Sequence, residues 1–110
     1  MDRKATQGVE APLRRLLSRL EEAVHPSRII LFGSRARGDN LIQSDVDLVI
    51  VSKAFEGVGW RERILKVLEL WDGNVPLEPL CYTPEEFENR SQEISIVREA
   101  VRGGVVLLPR

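Results

Sequence analysis

Apolar residues recur at helical spacing at Leu13, Leu16, Leu17, Leu20 and Val24, with Arg14, Arg15, Glu21 and Glu22 mostly off that stripe. Residues 11–24 are therefore expected to form an amphipathic helix, stopped at His25-Pro26 because proline cannot continue the hydrogen-bond ladder. RIILF at 28–32 is a short β-type run ended by glycine, and DVDLVIV at 45–51 is a second one, dense enough in β-branched residues for burial on both faces. Both are expected as central strands. After a loop marked by Gly57 and Gly59, Ile64, Val67, Leu68 and Trp71 return to helical spacing. VPLEPLCY at 75–82 carries two prolines and reads as an edge strand or an irregular extended segment. Thr83 as N-cap, Pro84 at the first position and Glu85-Glu86 in the first turn start another helix. The helical pattern continues over 92–102 with Ile94, Ile96, Val97 and Val101, until Gly103-Gly104 break it before a last short strand, VVLL. This order predicts an α/β (α+β) fold: a small mixed sheet with helices packed mainly on one face.

Composition narrows the picture. A chain of 110 residues is expected to be a single domain, 1–110, with one core. Charged residues make up 30% of the sequence, yet the formal net charge is only −1, so the basic excess of a general nucleic-acid binder is missing. Cys81 is the single cysteine, which excludes an internal disulfide and fits a reducing, cytoplasmic setting. No apolar run approaches a membrane span, and the first ten residues lack a signal-peptide core. His25 is expected to be structural or exposed, and Cys81 a small core residue without nucleophilic activation. Trp60 and Trp71 belong to apolar stripes that serve as core or as an interface. With an apolar helix face exposed, a domain of this size is open to self-association.

The chemistry concentrates in IILFGSRARGDNLIQSDVDLVIV, residues 29–51. A glycine ending a strand permits a sharp turn and leaves room for a close ligand. If Ser34 begins a helix, the first backbone N–H groups form a phosphate site beside the Ser34 hydroxyl. Arg35 and Arg37 either add charge-assisted bonds to phosphate or stand in solvent. Asp45 and Asp47, two apart on a strand, project from the same face and repel each other unless a cation lies between them. Hard oxygen donors favour Mg²⁺ or Mn²⁺, and two such ions suit phosphoryl-type chemistry. Glu78, on the next extended segment, is the available third carboxylate. The plainer alternatives are a strand-ending turn at Gly33-Ser34, turn-capping aspartates, and an exposed edge-strand charge at Glu78.

Gly33-Ser34, ten residues, then Asp45-Val46-Asp47, all between two strands, resembles the signature of the minimal nucleotidyltransferases of the DNA polymerase β superfamily. The stretch GSRARGDNLIQSDVDL is similar to that motif at nearly every characteristic position, Ser44 before the first aspartate included. The resemblance implies a palm-like nucleotidyltransferase fold. It also implies nucleotide phosphates on Gly33 and Ser34, two metal ions (Mg²⁺ or Mn²⁺) on Asp45 and Asp47, and Glu78 as the third acid, which helps deprotonate the acceptor. That third acid is frequently an aspartate on a regular strand, whereas Glu78 stands between Pro76 and Pro79. Arg35, Arg37 and Ser44 join the expected nucleotide-binding set.

Small stand-alone members of the family resemble antitoxins paired with a helical HEPN-type toxin encoded nearby, and some are thought to transfer AMP from ATP to it. The expectation is thus a metal-dependent transfer of NMP, with ATP as the donor, to a hydroxyl on such a partner, releasing pyrophosphate. The rival readings are an antitoxin that acts by occlusion with a vestigial nucleotide site, and a drug-modifying nucleotidyltransferase. Enzymes of the latter kind usually carry an additional helical domain.

Overall fold

A computed structural model describes residues 5–38, 44–93 and 96–109. Helix α1 (Glu10–Val24) forms over the predicted stripe, and Leu13, Leu16, Leu17, Leu20 and Val24 are all buried. It ends where His25 takes a left-handed conformation and donates its backbone N–H to the Leu20 carbonyl. Strand β1 (Arg28–Phe32) leads through Gly33 into a single helical turn, α2 (Ser34–Arg37). Strand β2 (Val46–Val51) begins one residue later than the apolar pattern suggests, so Asp45 stands just before it. A 3-10 turn at Lys53–Phe55, capped by the Ser52 hydroxyl, then precedes α3 (Trp60–Leu68).

Strand β3 (Leu77–Tyr82) is followed by α4 (Pro84–Ser91), whose start carries the full reciprocal cap: Thr83 Oγ1 accepts from the Glu86 N–H while the Glu86 carboxylate accepts from the Thr83 N–H. Helix α5 (Ile96–Gly103) and strand β4 (Val105–Leu108) complete the order. The helical pattern from Thr83 to Gly103 is thus two helices. Ile94 and the side chain of Ile96 lie outside the described residues.

The four strands are ordered β3-β2-β1-β4, with β1 antiparallel to β2 and β4, and β2 parallel to β3. The two strands expected to be central are central. β3 is an edge strand, where Pro79 breaks no ladder that a neighbour needs. Alternation along the strands divides the interior in two. Ile29, Leu31, Leu48 and Ile50 face α1, the 3-10 turn and α3, forming the larger core. Ile30, Val49, Val51 and Tyr82 face Phe87 of α4 and Val97 and Ala100 of α5. The result is a small mixed α/β structure with helices packed largely on one face of a mixed sheet, and α4 with α5 as a thinner cover on the other.

Helix α3 departs from its expected face. Val67 is fully buried, but Leu68 is exposed and Trp71 lies beyond the helix end, where its Nε1 donates to the Val75 carbonyl. Arg63 is buried instead. It donates to the carbonyls of Val58 and Cys81 and pairs with Glu86 at 2.6 Å, joining α3, β3 and α4. A buried cation is tolerated because the carboxylate and two carbonyls replace its water. Among the described residues, no helix is long and apolar enough to cross a membrane.

Candidate active site

Strand register brings the acids together. β1 and β2 place Asp47 opposite Phe32, and the parallel pairing of β2 with β3 places Glu78 beside Asp47. By the two-residue period, Asp47, Glu78 and Phe32 emerge on the face covered by α4 and α5, while Asp45, exposed just before β2, acts on Asp47 through its charge. Glu78 belongs to a regular strand despite its two neighbouring prolines. The departure from the family pattern is therefore one of residue type and not of backbone.

Asp47 is half-buried and its carboxyl is pushed up to about 6. Burial contributes most, followed by a hydrogen bond with Glu78 and repulsion from Glu78 and Asp45, with the Arg37 charge acting in the opposite direction. Two carboxyls in hydrogen-bonding contact hold a proton between them or need a cation to take its place.

Gly33 is fitted to this group in two ways. Its backbone, at φ 74 and ψ −151, occupies a region essentially reserved for glycine, and a Cβ there would stand 2.4 Å from Asp47 Oδ2. The end of β1 thus lies directly against the carboxylate, and any side chain would displace it.

The two arginines of the motif separate. Arg35 is neither a phosphate contact nor a solvated charge: it is 1% exposed and donates to the carbonyls of Ala5, Gln7 and Ser44. A helical turn two residues past a buried strand directs this side chain inward, and the carbonyls replace its hydration; burial still lowers its pKa, with Asp45 opposing. Its two bonds to the Ser44 carbonyl, at 3.0 and 2.8 Å, fix the chain just before Asp45. Ser44 thus contributes its carbonyl to the support of Asp45. Residues 39–43 of the motif lie outside the described residues.

Arg37 is exposed, and its charge reaches Asp47. Ser34, half-buried, opens α2. That helix has only four residues, so few peptide dipoles add at its start. Beside Gly33 lies an open cavity of about 710 Å³, whose lining includes Phe32, Ala36 and Arg37 and, from α5, Glu99 and Arg102.

Among the described residues, no three His, Cys, Asp or Glu side chains converge into a ready-made metal cage. The donor set still suits a hard divalent cation: such ions bind through one or two carboxylates and complete their shell with water and substrate phosphate. Asp45 and Asp47, with Glu78 alongside, offer only oxygen donors, and the mutual repulsion at Asp47 is the electrostatic demand that a cation would relieve. Cys81 is buried and its thiol pushed up to about 12 by burial, and His25 is exposed at the end of α1, so both fulfil their structural expectations.

A mixed sheet carrying acids near the starts of adjacent strands, beside a strand-ending glycine, fits a nucleotidyltransferase. The nucleotidyltransferase domain family model matches residues 13–102, and the chain belongs to that family. It is 32% identical over 76 residues to a Methanocaldococcus jannaschii protein provisionally named a protein adenylyltransferase, a match covering 61% of this chain and 77% of that one. A crystal structure of a Sulfolobus solfataricus protein, provisionally titled a nucleotidyltransferase, shares the fold with a TM-score of 0.59 at 23% identity, over 91% of this chain and 85% of that one.

Proposed function

We propose that this chain transfers a nucleoside monophosphate, AMP from ATP, to a hydroxyl on a partner protein and releases pyrophosphate. The single observation that carries the reading is the fit of Gly33 against the Asp47 carboxylate beside Glu78. Family membership supports the reaction class, and the name of the M. jannaschii relative supports a protein acceptor. Asp45 and Asp47 would hold Mg²⁺ or Mn²⁺, in a pair when substrate is bound, with Glu78 alongside. When bound, the ions would supply charge neutralisation on the phosphates.

The residues of the chain account for the remaining steps. Gly33 leaves the approach to Asp47 open, and Ser34 offers a hydroxyl and backbone N–H groups to the phosphates. Glu78 takes the proton of the acceptor hydroxyl as its oxygen attacks the α-phosphorus. A new P–O bond forms, the bond from the α-phosphorus to the bridging oxygen breaks, and the electron pair leaves on pyrophosphate. Arg35 acts as a positioning residue through Ser44, holding the segment from which Asp45 projects.

The family resemblance points to a small helical HEPN-type toxin encoded nearby as the acceptor, with this chain as its antitoxin in the cytoplasm. Incubation with Mg²⁺ and each α-labelled NTP, with and without the neighbouring gene product, tests donor and acceptor together. Label passing from ATP to the partner, and lost in Asp45→Asn, is the expected result. Tight binding of the partner with no transfer would replace the reaction with occlusion.

A further inference from the structure

The cavity beside Gly33 is formed by two elements far apart in sequence. Arg37 of α2 and Arg102, in the last turn of α5, both line it. The placement of α5 is fixed from below. Val97 and Ala100 are buried against β1 and its neighbours, and the Gly104 N–H donates to the Ala100 carbonyl at 2.8 Å. Gly104 has to be glycine for that approach: a Cβ would stand 2.3 Å from the Ala100 oxygen and 2.5 Å from Ile30 Cγ2. The end of α5 is thereby pressed onto β1, and Arg102 is held at the cavity in a position that the motif does not specify.

Charge and geometry then indicate which part of the substrate the cavity takes. Arg35 is spent on backbone carbonyls, and α2 is too short to present much dipole. Arg37 and Arg102 both line the cavity, the charge of Arg37 reaches Asp47, and Gly33 is shared between cavity and carboxylate. An anion running from the cavity across Gly33 would arrive at Asp47. We propose that Arg102 of α5 and Arg37 of α2 form a clamp for the polyphosphate of the nucleotide, with Arg102 a substrate-binding residue outside the nucleotidyltransferase motif.

This inference rests on the nucleotidyltransferase reading and sharpens it by assigning the cavity to the phosphates and not to the base. Glu99 makes the assignment testable by sign. It lines the same cavity, so beside a polyphosphate its charge opposes binding, whereas beside a base it would accept an amino N–H and favour binding.

The experiment measures binding of ATP, inorganic tripolyphosphate and AMP to wild type, Arg102→Ala, Arg102→Lys and Glu99→Gln by calorimetry with Mg²⁺, alongside the label-transfer assay. A guanidinium–phosphate contact predicts about tenfold or greater weakening of ATP and tripolyphosphate in Arg102→Ala. Partial recovery is expected in Arg102→Lys, little change for AMP, and about twofold tightening of ATP in Glu99→Gln. Wild-type ATP affinity retained in Arg102→Ala, or ATP weakened in Glu99→Gln, overturns the clamp while leaving the nucleotidyltransferase reading in place. If wild type binds neither ATP nor tripolyphosphate, the failure lies in that reading itself, and the clamp falls with it. A thermal melt of each variant separates lost contacts from lost folding.

Discussion

The two faces of β2 were built by one strand for opposite ends. Val46, Leu48 and Ile50 point into the larger core, where each is fully buried beneath α1 and α3. Asp47, between the first two, points toward the thinner α4 and α5 cover, beside another carboxylate. The apolar face is satisfied by packing alone. The other face accepts electrostatic strain at its open end and is covered only farther along, by Val49 and Val51 with Phe87, Val97 and Ala100. The contrast teaches that stability and chemistry are assigned to alternate residues of one strand, so substitutions one residue apart should have effects of different kinds.

The sharpest way to break that contrast is paired substitution. Leu48→Ala should cost about 3 kcal/mol of stability in urea unfolding, because it opens a cavity in the sealed core. Asp47→Asn should lower nucleotidyl transfer at least about a hundredfold, close to 2.7 kcal/mol of barrier, with the fold kept. If Asp47→Asn destabilised the chain as much as Leu48→Ala, the division between the faces would not hold.

The motif arginines extend the same test. Arg35→Met should cost about 2 kcal/mol by removing the donors to the Ala5, Gln7 and Ser44 carbonyls, and should loosen the segment leading to Asp45. Arg37→Ala, on the surface, should change stability by no more than about 0.5 kcal/mol. Gly33→Ala falls between them, at about 1–2 kcal/mol from backbone strain, with a larger loss of transfer because its Cβ meets Asp47.

The pH dependence provides a finer comparison. Asp47 is raised from 3.8 to about 6, so across that window the folded chain keeps a proton that the unfolded chain has released. Its contribution to stability is therefore present below the lower value and lost as pH rises through the upper one. Asp72 and Glu86 act in the other direction, because Arg15 and Arg63 respectively hold their carboxyls below the usual range. The difference between metal-free wild type and Asp47→Asn isolates the effect. Wild type should lose stability relative to the variant between about pH 4 and pH 6, by on the order of 1 kcal/mol after solvent screening.

Local periodicity made most of the fold legible. The stripe of α1, the glycine closing β1, the Thr83 cap of α4 and the apolar strands 28–32 and 45–51 each carry their signal within a few residues, because helix and strand geometry fix which neighbours share a face. The candidate acids were legible for the same reason: Asp45 and Asp47 are two apart at the mouth of a strand. That much, with the family signature, the sequence by itself determined. Tertiary structure alone decided that Glu78 lies beside Asp47, since parallel pairing joins residues with no local relation. It also decided that Arg35 and Arg63 are buried while Arg37 is not, and that Arg102 reaches the cavity. A long polar side chain can lie in water or among carbonyls at either kind of position, and only the surrounding chain supplies the partners that settle it.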